Sequence, residues 1–399
     1  MSNHGRKWAM VVGLLALLIL TFILHSGVLL TITILLILTS FGSALYGRYV
    51  LSRVTYTRRF ARSRCFVGES LGLTVELTNR KVLPVTYLSV DDTVPESLDI
   101  ASRKLRFSRI GKGVLRSLFS LLWYQKVIRH YQVTPQRRGL YELGPAVIKA
   151  GDPFGFWDQS MDVDERETLI CYPKIVPLEE LGFPSRRPFG DLKSTDRLFE
   201  DEMRFAGVRE YQVGDPLRRI HWKASAASGR LQVKLLDPSS NMGLAVFLNT
   251  WAFDLHWQGT DANVLETGCI LAASIANWAV EQEVPVGVYA NALTQGWSFN
   301  LHLPPARGPQ VLPQVLEGLA RLSIPARESI AQLLLEETPA LGYGSSVVVV
   351  TGQVPLDLAA AILKVQQSGR PVTLVLIGAG PIDLPHLPGV RITHVSGEE

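Results

Sequence analysis

The sequence predicts three folded parts in series: an apolar helical hairpin, an all-β sandwich and a doubly wound α/β domain. Three observations carry this. Residues 8–24 and 27–45 are nearly uninterrupted apolar runs. Short segments of period-two alternation follow, from about residue 65 to 173. From Met242 onward, short continuous apolar runs alternate with stretches of helical period.

Each N-terminal run is long enough to cross about 30 Å of hydrocarbon. His25-Ser26-Gly27 between them leaves room only for a tight reversal. A cleaved signal peptide is the competing reading, because Arg6-Lys7 precede an apolar run. A second run directly behind the first argues for a helical hairpin instead. Arg6 and Lys7 precede the hairpin, Arg48, Arg53, Arg58, Arg59, Arg62 and Arg64 follow it, and no acidic residue occurs before Glu69. Both flanks are therefore expected to stay cytoplasmic, which places the chain in the inner (plasma) membrane with its soluble domains inside. Those eight residues belong to a total of 40 basic side chains, so 32 remain against 36 acidic ones. The body is mildly acidic, which argues against nucleic acid as a partner. The arginine run is expected to meet the headgroups of the lipid bilayer, at about 1 kcal/mol per charge near the surface.

Leu71, Leu73, Val75 and Leu77 alternate with Gly72, Thr74, Glu76 and Thr78, the pattern of a half-buried strand. Segments 85–90 and 127–133 are further strands, and the Pro- and Gly-punctuated whole suggests a small immunoglobulin-like sandwich. The apolar cluster Leu118, Phe119, Leu121, Leu122 and Trp123 is expected in its core, a hairpin lying near the bilayer being the alternative. Residues 174–208 have little periodicity and several prolines. In the last part, 244–248, 284–290, 346–350 and 372–377 read as strands. Helices are expected after Asp261 as N-cap (Val264, Leu271, Ile275 and Trp278 on one face), from Pro309, and over 355–367 with Gly369 closing it. Such alternation implies a mostly parallel sheet. The expected boundaries are 1–47 for the hairpin, 48–64 for a basic juxtamembrane segment, 65–173 for the sandwich, 174–239 for a connector and 240–399 for the α/β domain.

The most constrained stretch is 209–226. Gly214, Asp215 and Pro216 form a rigid corner, Arg218 and Arg219 offer planar forks for carboxylate or phosphate, and Trp222 adds a large apolar body beside Lys223. Together with Arg138-Gly139-Leu140-Tyr141, Gly144-Pro145 and Asp152-Pro153-Phe154-Gly155-Phe156, it resembles the domain-of-unknown-function 58 family. That family's pattern runs roughly Arg-Glu-Tyr-x-x-Gly-Asp-x-x-Arg-x-Ile-Asp-Trp-x-x-Ser-Ala. Here His221 stands where the pattern usually has Asp. The resemblance implies a membrane-anchored protein with a degenerate von Willebrand factor A-like domain and a MoxR-type AAA ATPase as partner. On this basis Arg209, Asp215, Arg218, Arg219, His221, Trp222 and Lys223 form the expected partner-binding segment.

In von Willebrand A domains a divalent cation sits after the first strand, on an Asp-x-Ser-x-Ser motif. This chain has Asn249-Thr250-Trp251-Ala252-Phe253 there and Thr351-Gly352-Gln353 after a later strand, a poor set for a cation that demands hard oxygens. No metal and no cofactor are therefore expected; Trp251 and Phe253 offer an apolar edge instead. No phosphate-binding loop with Gly-Lys-Ser/Thr and no Gly-x-Ser-x-Gly elbow occurs. Residues 377–381 lack the third glycine of a dinucleotide loop. Cys65, Cys171 and Cys269 are far apart and give neither a disulfide framework nor a zinc spacing. The expectation is a non-catalytic, cytoplasm-facing scaffold or assembly factor. One alternative is an enzyme acting on a phosphorylated or cell-envelope precursor through Asp215 and His221. Another is an extracytoplasmic adhesion module, which requires the opposite topology.

Overall fold

A computed structural model describes residues 3–25, 27–100, 106–107, 112–152, 157–184, 188–189, 205–212, 215, 217, 220–236, 243–251, 261–295, 300–322, 328–342, 344–378 and 385–395. The chain divides into two compact units, Met1–Tyr172 and Pro173–Glu399.

The first unit opens with α1 (Asn3–Leu24) and α2 (Gly27–Tyr49), reversed at His25, whose φ is 48°. The two helices touch through Thr21 and Thr33, both buried, with hydroxyl oxygens 3.1 Å apart. Their outer faces expose Leu, Ile, Val and Phe. At 1.5 Å per residue α2 is about 35 Å long, and by length and composition it is apolar enough to cross a membrane.

Twelve described strands follow: β1 (Val54–Phe60), β2 (Arg64–Phe66), β3 (Leu71–Asn79), β4 (Val85–Pro95), β5 (Leu98–Ile100), β6 (Arg106–Phe107), β7 (Lys112–Leu121), β8 (Lys126–Pro135), β9 (Gly139–Leu143), β10 (Ala146–Gly151), β11 (Asp158–Val163) and β12 (Glu167–Tyr172). They form sheets in the orders β1-β3-β8-β5, β11-β10-β4-β7-β6 and β2-β12-β9. One core serves them, with Leu73, Leu77, Leu88, Leu98, Leu121, Leu143 and Ile148 fully buried. The alternation read over 71–77 is the inward face of β3.

Two expectations change here. The segment 48–64 is more than a basic flank: β1 takes 54–60 of it, with Val54, Tyr56, Arg58 and Phe60 inward, while Arg48, Arg53, Arg59, Arg62 and Arg64 stay exposed. A strand period of two decides which arginine is buried, so Arg58 enters the core opposite Asp92 while Arg59 faces out. The cluster at 118–123 also splits. Phe119 and Leu121 are core, but Leu118 lies on the outward face of β7, and Leu122 and Trp123 are exposed because β7 ends at Leu121 and a turn follows. Folding also joins what sequence distance hid: β2 and β12 pair in parallel with Cys65 opposite Cys171, both buried and neither in a disulfide.

The second unit contains β13 (Phe205–Glu210), α3 (Trp222–Ser228), β14 (Gln232–Leu236), β15 (Leu244–Leu248), α4 (Ala262–Glu281), β16 (Val286–Leu293), β17 (Asn300–Ala306), α5 (Val311–Arg321), α6 (Ile330–Glu337), β18 (Ser346–Thr351), α7 (Leu356–Gln367), β19 (Val372–Ile377) and β20 (Arg391–Val395). Its main sheet has the order β17-β16-β15-β18-β19-β20, parallel except for the β17 edge. The all-apolar run of β15 is buried on both faces, as a central parallel strand requires. α6 and α7 cover the face carrying Phe247, Val349 and Leu374. α4 covers the other, where Gly268 lets the helix approach so closely that a Cβ would lie 2.7 Å from the Leu248 side chain. Asp261 caps α4 by accepting from the Asn263 amide. Residues before β13 are anchored here too: Phe183 packs against Phe189 with the rings tilted, and Phe189 lies edge-on to Trp278 of α4, with centroids 5.4–5.5 Å apart. The mixed α/β architecture with apolar N-terminal helices and several sheets therefore holds.

Candidate functional site

The signature segment is a small structure built on the antiparallel β13–β14 pair, with α3 between the two strands. The Arg209 guanidinium grips Asp215 bidentately, Nη1 to Oδ2 at 2.7 Å and Nη2 to Oδ1 at 2.6 Å. Asp215 also accepts from the Gln212 amide at 2.8 Å. One carboxylate thus ties the end of β13 to the turn after it, and such fork-on-fork geometry fixes direction as well as distance. Asp215 and Arg209 shape the loop together.

His221 is the N-cap of α3. Its Nδ1 accepts from the Ala224 amide at 3.1 Å. The donor is a backbone N–H, so Nδ1 is the unprotonated ring nitrogen. An Asp at this position would accept from the same amide; His221 performs the capping without the charge. Its own amide donates to the Gln232 carbonyl at 2.8 Å, which moors the helix to β14. Ser225 Oγ bonds the His221 carbonyl and accepts from the Gln232 amide at 2.8 Å. The serine therefore serves the backbone of the turn. Gly229 then ends α3 in the left-handed region, at φ 68°.

What this frame presents outward is Trp222, 69% exposed, with Leu217 at 68% and Lys223 also exposed. Arg230 is held to Glu210 at 2.8 Å on the surface. Arg218 and Arg219, with Gly214 and Pro216, lie outside the described residues. Asp215→Asn should loosen the turn without unfolding the unit. The pair is discounted for an Arg209 side chain that is 40% exposed, leaving roughly 1 kcal/mol of local stability. The expected result is hydrogen exchange at the Gln212 amide about fivefold faster, measured beside the β15 amides as an unchanged reference.

The second arrangement is at the carboxyl ends of β15, β16 and β18, where open α/β sheets place ligands. Sequence reading flagged Asn249 and Thr351 there but missed Asn291, which has no motif around it. Asn249 Nδ2 donates to Thr351 Oγ1 at 2.9 Å, and its Oδ1 accepts from Asn291 Nδ2 at 3.0 Å and from the Trp251 amide at 3.2 Å. Asn291 Oδ1 accepts from the Thr250 amide at 2.8 Å. Because backbone amides can only donate, both side-chain amides have one possible orientation. The cluster is neutral, its members hydrogen-bonding one another and the Glu328 and Gln353 carbonyls. Among the described residues, no group of three or more His, Cys, Asp or Glu stands close enough to hold a metal. Phe253 and Asp254 lie outside the described residues.

Residues 207–394 match the family described as "Protein of unknown function DUF58". Those 188 of the 399 residues are a DUF58 region. The match begins inside β13, so the DUF58 region contains both the signature structure and the six-stranded sheet. The chain is also similar to the "Uncharacterized protein YeaD" of Bacillus subtilis (strain 168), with 23% identity over 353 residues, 88% of this chain and 82% of that protein. Among solved structures, the CARDB domain of a Pyrococcus furiosus protein shares 12% identity over 30% of this chain and 91% of its own, at a TM-score of 0.20. A cohesin module from a Clostridium perfringens glycoside hydrolase shares 14% over 30% and 96%, at 0.21. Likenesses at those scores carry no argument about this chain.

Proposed function

We propose that this protein is a membrane-tethered, cytoplasm-facing scaffold that docks a protein partner through the signature segment. The observation that carries the reading is the contrast within that segment. Its backbone is tied down by the Arg209–Asp215 clamp and the His221 cap, while Trp222 and Leu217 stand about two-thirds exposed. A rigid frame that leaves a tryptophan in water suits binding, since ordering costs are already met and Trp dominates interface energetics. Lys223 is exposed beside Trp222, and Arg218 and Arg219 follow Leu217 directly, which favours a partner with an acidic surface. By family resemblance that partner is a MoxR-type AAA ATPase.

The tether is α1 and α2, read as a hairpin crossing the bilayer with both flanks on the cytoplasmic side. The sheet order, helices on both faces and a neutral Asn249–Asn291 corner support a von Willebrand A-like domain whose cation site has eroded. An immunoglobulin-like reading of the sandwich draws support from Tyr141. Its hydroxyl donates to the Arg137 carbonyl four residues upstream at 2.5 Å, a tie found at the corners of such folds.

The test is capture of partners by the detergent-solubilised full chain, with identification by mass spectrometry and affinity measured for the purified pair. Trp222→Ala should weaken binding by about thirtyfold, as expected for a central tryptophan worth roughly 2 kcal/mol, with thermal stability unchanged. If the ATPase is not retained, or Trp222→Ala binds it as tightly as the parent, the docking reading is wrong.

A further inference from the structure

One end of the β-sandwich carries apolar surface that its fold does not use. β1 begins there at Val54, paired with Asn79 at the end of β3, and Thr78 of β3 pairs with Lys126 at the start of β8. Val85, at the start of β4, pairs with Leu121 at the end of β7. This is the end at which α2 delivers the chain. Tyr46 of α2 donates its hydroxyl to the Pro84 carbonyl at 2.8 Å, and the Arg80 amide donates to the Arg53 carbonyl at 3.1 Å. Two turns project from it, 80–84 and 122–125. On them Val82 is 67% exposed, Leu122 55%, Trp123 61% and Tyr124 68%, with Tyr49 of α2 at 50%.

The 122–125 turn is held in place. Tyr124 donates its amide to the Lys81 carbonyl, Gln125 accepts from the Asn79 amide, and the Asn79 side chain donates to the Leu122 carbonyl, at 2.9–3.2 Å. Gln125 Oε1 accepts from the Leu122 amide at 2.7 Å. Tyr124 has φ 51°, a left-handed position where Gly or Asn is the undemanding choice. The turn accepts that strain and holds its large side chains outward. Arg48, Arg53 and Arg80, all exposed, stand around the same end.

Aromatic side chains with a polar edge, ringed by arginine and set beside the end of a bilayer-length apolar helix, match the headgroup layer of a membrane. We infer that the 80–84 and 122–125 turns insert into the interfacial layer of the bilayer that α2 crosses, so that the sandwich is seated on the membrane. This rests on the tether reading above. The occupant is lipid, because the surface is continuous with the lipid-facing helix end and the exposed Arg48, Arg53 and Arg80 around the two turns suit anionic headgroups.

The native cysteines are buried, which permits single surface labels. The full chain carrying Leu122→Cys, Gln136→Cys or Leu38→Cys is labelled with the environment-sensitive fluorophore NBD. Each is placed in nanodiscs of phosphatidylcholine and phosphatidylglycerol, which leave both leaflets open to solution. Gln136 marks the opposite, exposed end of the sandwich and Leu38 the middle of α2. The expected result is quenching of the Leu122 label by doxyl groups near the lipid headgroups, and reduction by aqueous dithionite at least tenfold slower than at Gln136. Should Leu122 react as fast as Gln136 while Leu38 is protected, the inference fails and the tether stands. If dithionite also reaches Leu38 freely, both fail. Protection of Leu122 without lipid quenching means protein covers the turns, and overturns the inference as well.

Discussion

Arg58→Met should destabilise the first unit by about 3–5 kcal/mol, the cost of leaving a buried carboxylate without its counter-charge. Arg58 and Asp92 have side chains only 2% exposed and meet at 2.5 Å across the sandwich, from β1 to β4. Tyr56 donates to the other Asp92 oxygen at 2.9 Å, and Arg58 also donates to the Glu165 carbonyl. Burial already holds the Asp92 carboxyl above its usual range, with Arg58 opposing that rise. Removing the guanidinium raises it further. A carboxyl whose folded pKa exceeds its unfolded value of about 3.9 contributes most below that value, and the contribution is lost as pH climbs through the folded one. The deficit of Arg58→Met relative to the parent should thus be largest near neutrality and shrink towards pH 4. Adding Asp92→Asn, which keeps an acceptor for Tyr56, should recover more than half of the loss. Denaturant unfolding of the solubilised chain measures all three variants. A neutral-pH deficit under 1 kcal/mol, or one that grows on acidification, would mean the pair is not buried as described.

Arg58 also marks where sequence reading stops. The apolar alternation of β3 and the buried runs of β15, β18 and β19 are local signals, written in consecutive residues, and they locate those strands without further help. Six arginines after an apolar run look alike in sequence; which one is buried depends on the register of β1 against β3 and on Asp92 lying opposite. The β17 edge strand hides behind Pro304 and Pro305, tolerated only because an edge needs fewer ladder bonds. α6 is a helix of eight residues, too short for its period to stand out. In the candidate site, the constrained residue types of 209–226 are visible at once. Their partners are not: Asp215 turns to Arg209 six residues back, and the reason a histidine serves at 221 emerges only with the start of α3 and the amide of Ala224. Asn291 was silent because its partners, Asn249 and Thr250, are some forty residues away.

That silence makes Asn291 the sharper test of the sheet's carboxyl corner. Asn291→Asp should cost about 3 kcal/mol or more at neutral pH, because the group it loses is a double donor. In the native cluster Asn291 Nδ2 gives one hydrogen to Asn249 Oδ1 at 3.0 Å and one to the Glu328 carbonyl at 3.2 Å, in a site with no exposure at all. A carboxylate there would aim an oxygen at two acceptors with its charge unsolvated. A neutral carboxyl would satisfy one of them and orphan the other. Asn249→Asp should be milder, at roughly half the cost. Its Nδ2 serves a single partner, Thr351 Oγ1, and that hydroxyl can swing its hydrogen from the Gln353 carbonyl towards the new carboxylate. The order of the two variants therefore tests the hydrogen-bond assignment itself. Equal losses would contradict it. Millimolar Mg²⁺ separates a self-satisfied corner from a cation site one residue short: it should leave the melting temperature of the parent and of both variants unchanged. A Mg²⁺-dependent rescue of Asn249→Asp would instead show that the corner keeps the geometry of a metal site, and would replace the picture of neutral amides closing the sheet end.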